Sequence, residues 1–287
     1  MSASSGGAAP ARRVTPAAAP AEPGRLGRVL LGATAIAVLA FLCLPILIVI
    51  PMSFSSASSL AFPPPGLSLR WYAAFFNDER WLAALANSAL IAFASSTIAL
   101  ALGSLAVYGL VRGTFRGRSL LEGAFIAPLI VPQVIIAVAL YIYFSQIGLL
   151  GTLPGLIAGH TVLGVPYVVL VMSVAVRSFD VRIEQVAYTL GASPWTMFRR
   201  VLLPNLMPSV LAAWIFAFII SFDEVIITVF IAGSYETVPK RMFNELVLQV
   251  NPTITAIATL LIGVSVLTIA LMVWLLRRHG VRLGGMV

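Results

Sequence analysis

The chain has 287 residues, 60% of them hydrophobic and only 10% charged, far below the roughly 25% charged content of a soluble domain. That composition excludes a soluble enzyme and belongs to an integral membrane protein. The net charge of +8 is not a nucleic-acid signature, because the arginines that carry it are dispersed between apolar blocks instead of gathered into a patch.

Residues 1–24 are rich in Ala, Pro, Ser and Gly and read as a disordered tail. The apolar block after Arg28 is longer than the roughly 7–15 residues of a signal-peptide core, so it is expected to be retained as a helix. Cys43 lies inside this block and is the single cysteine, which excludes an intrachain disulfide and a cysteine-based zinc site.

Runs without charge occupy 29–69, 81–111, 123–176, 201–222 and 246–276. A helix crosses a bilayer with about 20 apolar residues. The run 123–176 therefore holds two crossings, with a turn near Gly148, Gly151, Pro154 and Gly155. Six transmembrane helices are expected, at roughly 28–52, 83–111, 120–144, 155–177, 207–231 and 253–276. Only helices or closed barrels satisfy the backbone in lipid, and no alternating barrel pattern is present. The fold class is all-α.

After the first helix, Pro63, Pro64 and Pro65 open an outer segment in which Trp71, Tyr72 and Trp81 suit an interfacial aromatic belt. Pro128 and Pro132 interrupt the third helix and Pro166 the fourth, each removing a backbone hydrogen bond. Gly151, Gly155 and Gly159 form a row of small residues that permits close helix approach. These features either serve packing or bend helices around a central path.

The segment 182–204 is the longest polar-rich interruption. It reads as two short helices. In the first, Ile183, Val186, Ala187 and Leu190 share one face. Gly191 fits a helix C-cap, and Ser193 followed by Pro194 is a helix start. The second carries Trp195, Phe198 and Val201 on one side and Arg199 and Arg200 on another, with Pro204 and Pro208 as its stop. From pattern alone the segment is an amphipathic loop on the membrane surface or a docking element.

Asp223 and Glu224 are the acidic pair at membrane depth. Counted along a helix from Pro208, they lie about 22 Å on, in the outer third of a hydrocarbon core about 30 Å thick. As neighbours on a helix they would point about 100° apart. They pair with an arginine of another subunit, meet outer water, or contact a cationic substrate with Phe222 beside them as an apolar gate. In the following outer segment, 233–252, residues Lys240 to Leu246 suit a short surface helix, a solvated lid or a substrate contact. His160 and His279 are too far apart for metal-ligand spacing, and no metal site is expected.

Basic residues set the orientation. With the N-terminus inside, the inner segments hold fourteen of them: Arg12, Arg13, Arg25, Arg28, Arg112, Arg116, Arg118, Arg177, Arg182, Arg199, Arg200, Arg277, Arg278 and Arg282. The outer segments hold four: Arg70, Arg80, Lys240 and Arg241. Both termini and the segment 182–204 are thus expected in the cytoplasm.

That segment resembles the cytoplasmic EAA loop of ABC importer permeases. Gly191 is followed by nine residues and then Val201, Leu202, Leu203 and Pro204, as the family pattern requires. The Glu-Ala-Ala positions are Gln185, Val186 and Ala187, so a glutamine stands for the glutamate, with Glu184 one place earlier. The resemblance covers about residues 60–278. The runs 221–226, 251–256 and 153–161 are similar to the second permease of the spermidine/putrescine subgroup.

The resemblance implies a type I importer transmembrane subunit coupled to a separate ATPase through Glu184, Gln185, Ala187, Gly191, Ala192, Pro194, Leu203 and Pro204. It further implies two ATPase copies that carry ATP and Mg, a second homologous permease and an extracytoplasmic binding protein. The cargo would be a polyamine, along a path by Phe222, Asp223 and Glu224. Iron or an anion are other cargoes within the family, and an ion-gradient-driven secondary transporter or a non-transport scaffold are the readings outside it. The domain division is a tail at 1–24, the first helix and outer loop at 25–82, a core permease domain at 83–278 and a tail at 279–287. The chain has no Walker A motif, since its lone lysine, Lys240, follows Val238 and Pro239, and it holds none of the G-x-S-x-G, H-E-x-x-H or C-x-x-C patterns. A non-catalytic subunit that binds no cofactor of its own is expected.

Overall fold

The computed structural model describes residues 24–248 and 251–278. The tails expected at 1–24 and 279–287, and His279 with them, lie outside the described residues apart from Gly24. The described residues up to Leu47 form one compact unit and those from Ile48 onward a second. The first holds most of helix α1 (Arg25–Ser53), apolar after Arg28, with exposed large side chains from Leu26 to Leu47.

In the second unit, α2 (Arg70–Asn77) leads into α3 (Glu79–Arg112). Asp78 starts α3 by accepting the Arg80 N–H at 2.8 Å. Helix α3, α6 (Leu153–Ser178) and α9 (Leu203–Phe222) pack on one another as the central layer. Their inner-side core gathers Val107, Val168, Met172, Val176, Met197, Leu202 and Leu206. A second core, around Ile91, Phe144, Leu156 and Ile227, packs α5 (Gln133–Gln146) and α10 (Ile226–Ile231) against α3 and α6. A third joins Phe75, Trp81 and Ala84 to Val238 of α11 (Val238–Leu248) and Ile257 of α12 (Thr253–Arg278).

Among the described residues five helices are long and apolar enough to cross a membrane, or six when the bent pair around Pro132 is one span. That pair departs from the expected single helix at 120–144. Helix α4 (Arg118–Ile126) runs into a 3-10 turn at Ala127–Leu129, and α5 leaves at 103° to it. Pro132 cannot donate to the carbonyl of Pro128, so the helical ladder stops there.

The fifth span departs in two ways. Pro204 and Pro208 do not stop it: apolar helix runs from Pro194 to Phe222. Helix α8 (Pro194–Met197) passes through a π turn at Phe198–Leu202, where the Leu203 N–H donates to the Phe198 carbonyl. The wide turn absorbs the amide that Pro204 lacks. At its other end the helix stops at Phe222, short of 231, and α10 begins only at Ile226. The acidic pair therefore occupies a break. The small-residue row serves packing: Gly151 donates its N–H to the Ile231 carbonyl at 2.9 Å, and a Cβ on Gly233 would stand 2.9 Å from the Gly151 Cα.

Candidate functional site

The segment 182–204 is built by local capping. Asp180 starts α7 (Val181–Thr189) by accepting the Arg182 N–H at 2.9 Å. The helix ends in a Schellman turn: Gly191 N–H donates to Tyr188 O and Ala192 N–H to Ala187 O, each at 3.0 Å. Gly191 has φ +83°, and nothing lies within 4 Å of a Cβ placed there, so the backbone and not crowding selects glycine. Ser193 then caps α8 by accepting the Thr196 N–H at 3.2 Å.

This scaffold presents an apolar surface. Ile183 is 46% exposed, Val186 56%, Trp195 66% and Leu190 82%. Of the residues singled out in the sequence, Gln185, Gly191, Pro194 and Pro204 are exposed and Ala192 and Leu203 half-buried. Ala187 is buried beneath the turn, and Glu184 is turned inward.

Glu184 is only 4% exposed. Its Oε1 accepts from Arg112 Nε at 2.8 Å and Nη2 at 2.7 Å, and its Oε2 from the Tyr108 hydroxyl at 3.1 Å. Arg112 Nη2 also donates to the Phe179 carbonyl at 2.9 Å. One guanidinium thus ties the ends of α3 and α6 to α7. The sequence missed this clamp, although an arginine closing an apolar span and an acid in an amphipathic turn are the groups that seek each other.

The second constellation surrounds the α9–α10 break. Asp223 leaves the helix at its C-cap and is exposed, whereas Glu224 is 5% exposed. Departure from helical geometry, not a 100° rotation, separates them. Glu224 Oε1 accepts the Ile227 N–H at 2.8 Å and Oε2 accepts from Gln133 Nε2 at 2.7 Å. Among the described residues neither carboxylate has an ion-pair partner. Leading to this point is an aromatic ladder on α9: Trp214 and Phe218 stack at 5.4 Å and Phe218 and Phe222 at 5.7 Å. Trp214 is braced on α3 by Phe93 at 5.7 Å and by donating Nε1–H to Thr97 at 3.1 Å.

His160, set aside in the sequence for want of metal-ligand spacing, is buried between Ser221, 2.8 Å from Nδ1, and Thr228, 3.0 Å from Nε2. The signal for it was present: an imidazole in an apolar span needs partners.

Outside the spans, α11 extends past the expected 240–246 and is fastened down, unlike a solvated lid. Arg241 lies 3.4 Å from Asp78, 3.2 Å from Glu236 and 3.4 Å from Glu245, with its guanidinium 4.6 Å above the Trp81 ring. Lys240 Nζ donates to the Gly233 and Tyr235 carbonyls at 2.8 Å each. Burial pushes the Lys240 pKa down and Glu236 opposes it; burial pushes the Glu245 carboxyl up and Arg241 opposes it.

Comparison with known proteins gives four likenesses. Residues 99–281 match the family described as binding-protein-dependent transport system inner membrane component. The spermidine/putrescine transport system permease protein PotC of Escherichia coli K12 is 33% identical over 245 residues, covering 85% of this chain and 92% of that protein. The putrescine transport system permease protein PotI of the same organism is 34% identical over 250 residues, covering 84% and 86%. In fold, a chain of a bacterial ABC transporter involved in the import of the acidic polysaccharide alginate superposes with TM-score 0.64 at 15% identity, covering 90% of this chain and 99% of its own length.

Proposed function

The chain belongs to the binding-protein-dependent transport system inner membrane components, and on that premise we propose that its cargo is a polyamine. It is a multi-pass permease subunit of an ABC importer, moving a substrate from a binding protein at the expense of ATP hydrolysed on a partner subunit.

The observation that carries the polyamine reading is the aromatic ladder Trp214, Phe218, Phe222, which ends at the exposed carboxylate of Asp223. A polyamine alternates protonated amines with methylene spacers. Aromatic faces take the amines and the apolar spacers alike, and a carboxylate adds a charge-assisted contact. The likeness to putrescine and spermidine permeases supports the same cargo. In this reading Phe222 gates the path, Asp223 meets the arriving ammonium group, and Glu224 stands behind it.

The segment 182–204 docks on the ATPase, a role supported by the exposed side chains of Ile183, Val186, Leu190 and Trp195 on the side that arginine bias assigns to the cytoplasm. Gln185, Gly191, Ala192, Pro194, Leu203 and Pro204 form that surface, while Glu184 and Ala187 hold it in shape. The core permease domain is 83–278, preceded by the first helix and outer loop at 25–82. It pairs with a second homologous permease over two ATPase copies, with both termini in the cytoplasm.

Uptake of labelled putrescine and spermidine by the full complex tests the cargo. Asp223→Asn should raise the apparent KM by about tenfold, the scale of one lost contact to a charged group. Wild-type kinetics in Asp223→Asn and Glu224→Gln, or uptake of an anion in place of either polyamine, would refute the assignment.

A further inference from the structure

The polar groups buried around the α9–α10 break form one continuous run. Ser95 on α3 donates its hydroxyl to Ser221 Oγ at 2.9 Å. Ser221, in the last turn of α9, is 2.8 Å from His160 Nδ1. His160 Nε2 is 3.0 Å from Thr228 Oγ1 on α10, and Thr228 donates to the Glu224 carbonyl at 3.1 Å. All four side chains are inside: His160 is 1% exposed, Ser95 1%, Ser221 4% and Thr228 0%.

Each ring nitrogen thus has one hydroxyl partner, Ser221 at Nδ1 and Thr228 at Nε2. Ser95 also donates toward the Ala92 carbonyl at 3.3 Å. A hydroxyl both donates and accepts, so Ser221 and Thr228 together satisfy either tautomer of the ring.

We propose that His160 is a positioning residue for transport: its ring joins the end of α9 to the start of α10 and so keeps Asp223 turned out and Glu224 turned in. Backbone groups at a helix break in lipid need partners, and a polar group that loses its partner there is penalised. The run therefore holds the break in one arrangement where apolar packing would tolerate several. Its consequence for uptake rests on the polyamine reading, but its geometry does not.

Thiol labelling separates the two. In the full transporter with Cys43→Ser, single cysteines replace Asp223 or Glu224, and each is labelled with a membrane-impermeant maleimide without substrate. With the run intact, the cysteine at 223 should react at least about tenfold faster than that at 224. Thr228→Val removes the hydroxyl partner of Nε2 while keeping the side-chain shape. It should shrink the ratio by about tenfold, the shift expected for one unmade buried hydrogen bond. Ser221→Ala should act in the same direction, which keeps the test available where His160→Leu fails to assemble. An unchanged ratio in assembled Thr228→Val and Ser221→Ala overturns the proposal. A collapsed ratio without polyamine uptake in the wild type would uphold it and refute the cargo alone.

Discussion

Glu184 illustrates how one residue departs from what its position in a motif suggests. Beside a glutamate position filled by Gln185, it faces Arg112 and Tyr108. Removing one partner of a buried pair leaves an uncompensated charge, costing up to about 3–5 kcal/mol in full burial, whereas replacing both with apolar groups is often nearly neutral. Arg112 is 20% exposed in its side chain, which places the cost below that range. Arg112→Leu should therefore lower the melting temperature of the complex more than the double variant Arg112→Leu/Glu184→Leu, with a coupling energy on the order of 1–3 kcal/mol. Thermal unfolding of the four members of the cycle checks this, and additive single effects would show the contact to be idle. The sequence offered both charges but not their pairing, because Arg112 and Glu184 meet through the packing of α3 against α6, a long-range event.

At the scale of the element, the loop between α7 and α8 was legible because it is made of local rules. Gly191 as C-cap and Ser193–Pro194 as helix start are where the spacing puts them. The strain at 191 is torsional and space around it is free. Asparagine, which visits left-handed backbone more readily than other side chains, should thus keep more coupled ATP hydrolysis than valine, whose branched Cβ opposes that conformation by about 1–2 kcal/mol. Measured hydrolysis and ATPase retention in Gly191→Asn and Gly191→Val decide it; equal activity in the two contradicts a left-handed turn at the docking surface. The next element was misread for a physical reason. Proline at 204 and 208 is a stop in isolation, yet a π turn precedes Pro204 and α9 runs on past Pro208 to Phe222. The 103° bend at Pro132 and the end of α9 at Phe222 were also out of reach, since prolines mark where a helix weakens and packing decides how far it turns.

For the whole molecule, apolar run lengths gave six expected spans, against five helices among the described residues, or six when the bent pair at Pro132 is one span, because the bilayer sets the length of any crossing helix. What they do not contain is the way two ends of one subunit communicate. The clamp of Arg112 on Glu184 sits at one end of α3, and Ser95, which begins the His160 run, sits farther along the same helix. Helix α3 thus touches both the 182–204 segment and the α9–α10 break, and with the docking role proposed above it would couple hydrolysis to the state of the path. The most direct measurement is ATP hydrolysis by the complete transporter in nanodiscs, assembled with the proposed second permease and two ATPase copies, as binding protein is added empty or loaded. We expect putrescine- or spermidine-loaded binding protein to stimulate hydrolysis several-fold over empty protein, and Gly191→Val to abolish the stimulation. Equal hydrolysis with empty and polyamine-loaded protein, or gradient-driven uptake by this chain without an ATPase, would contradict it.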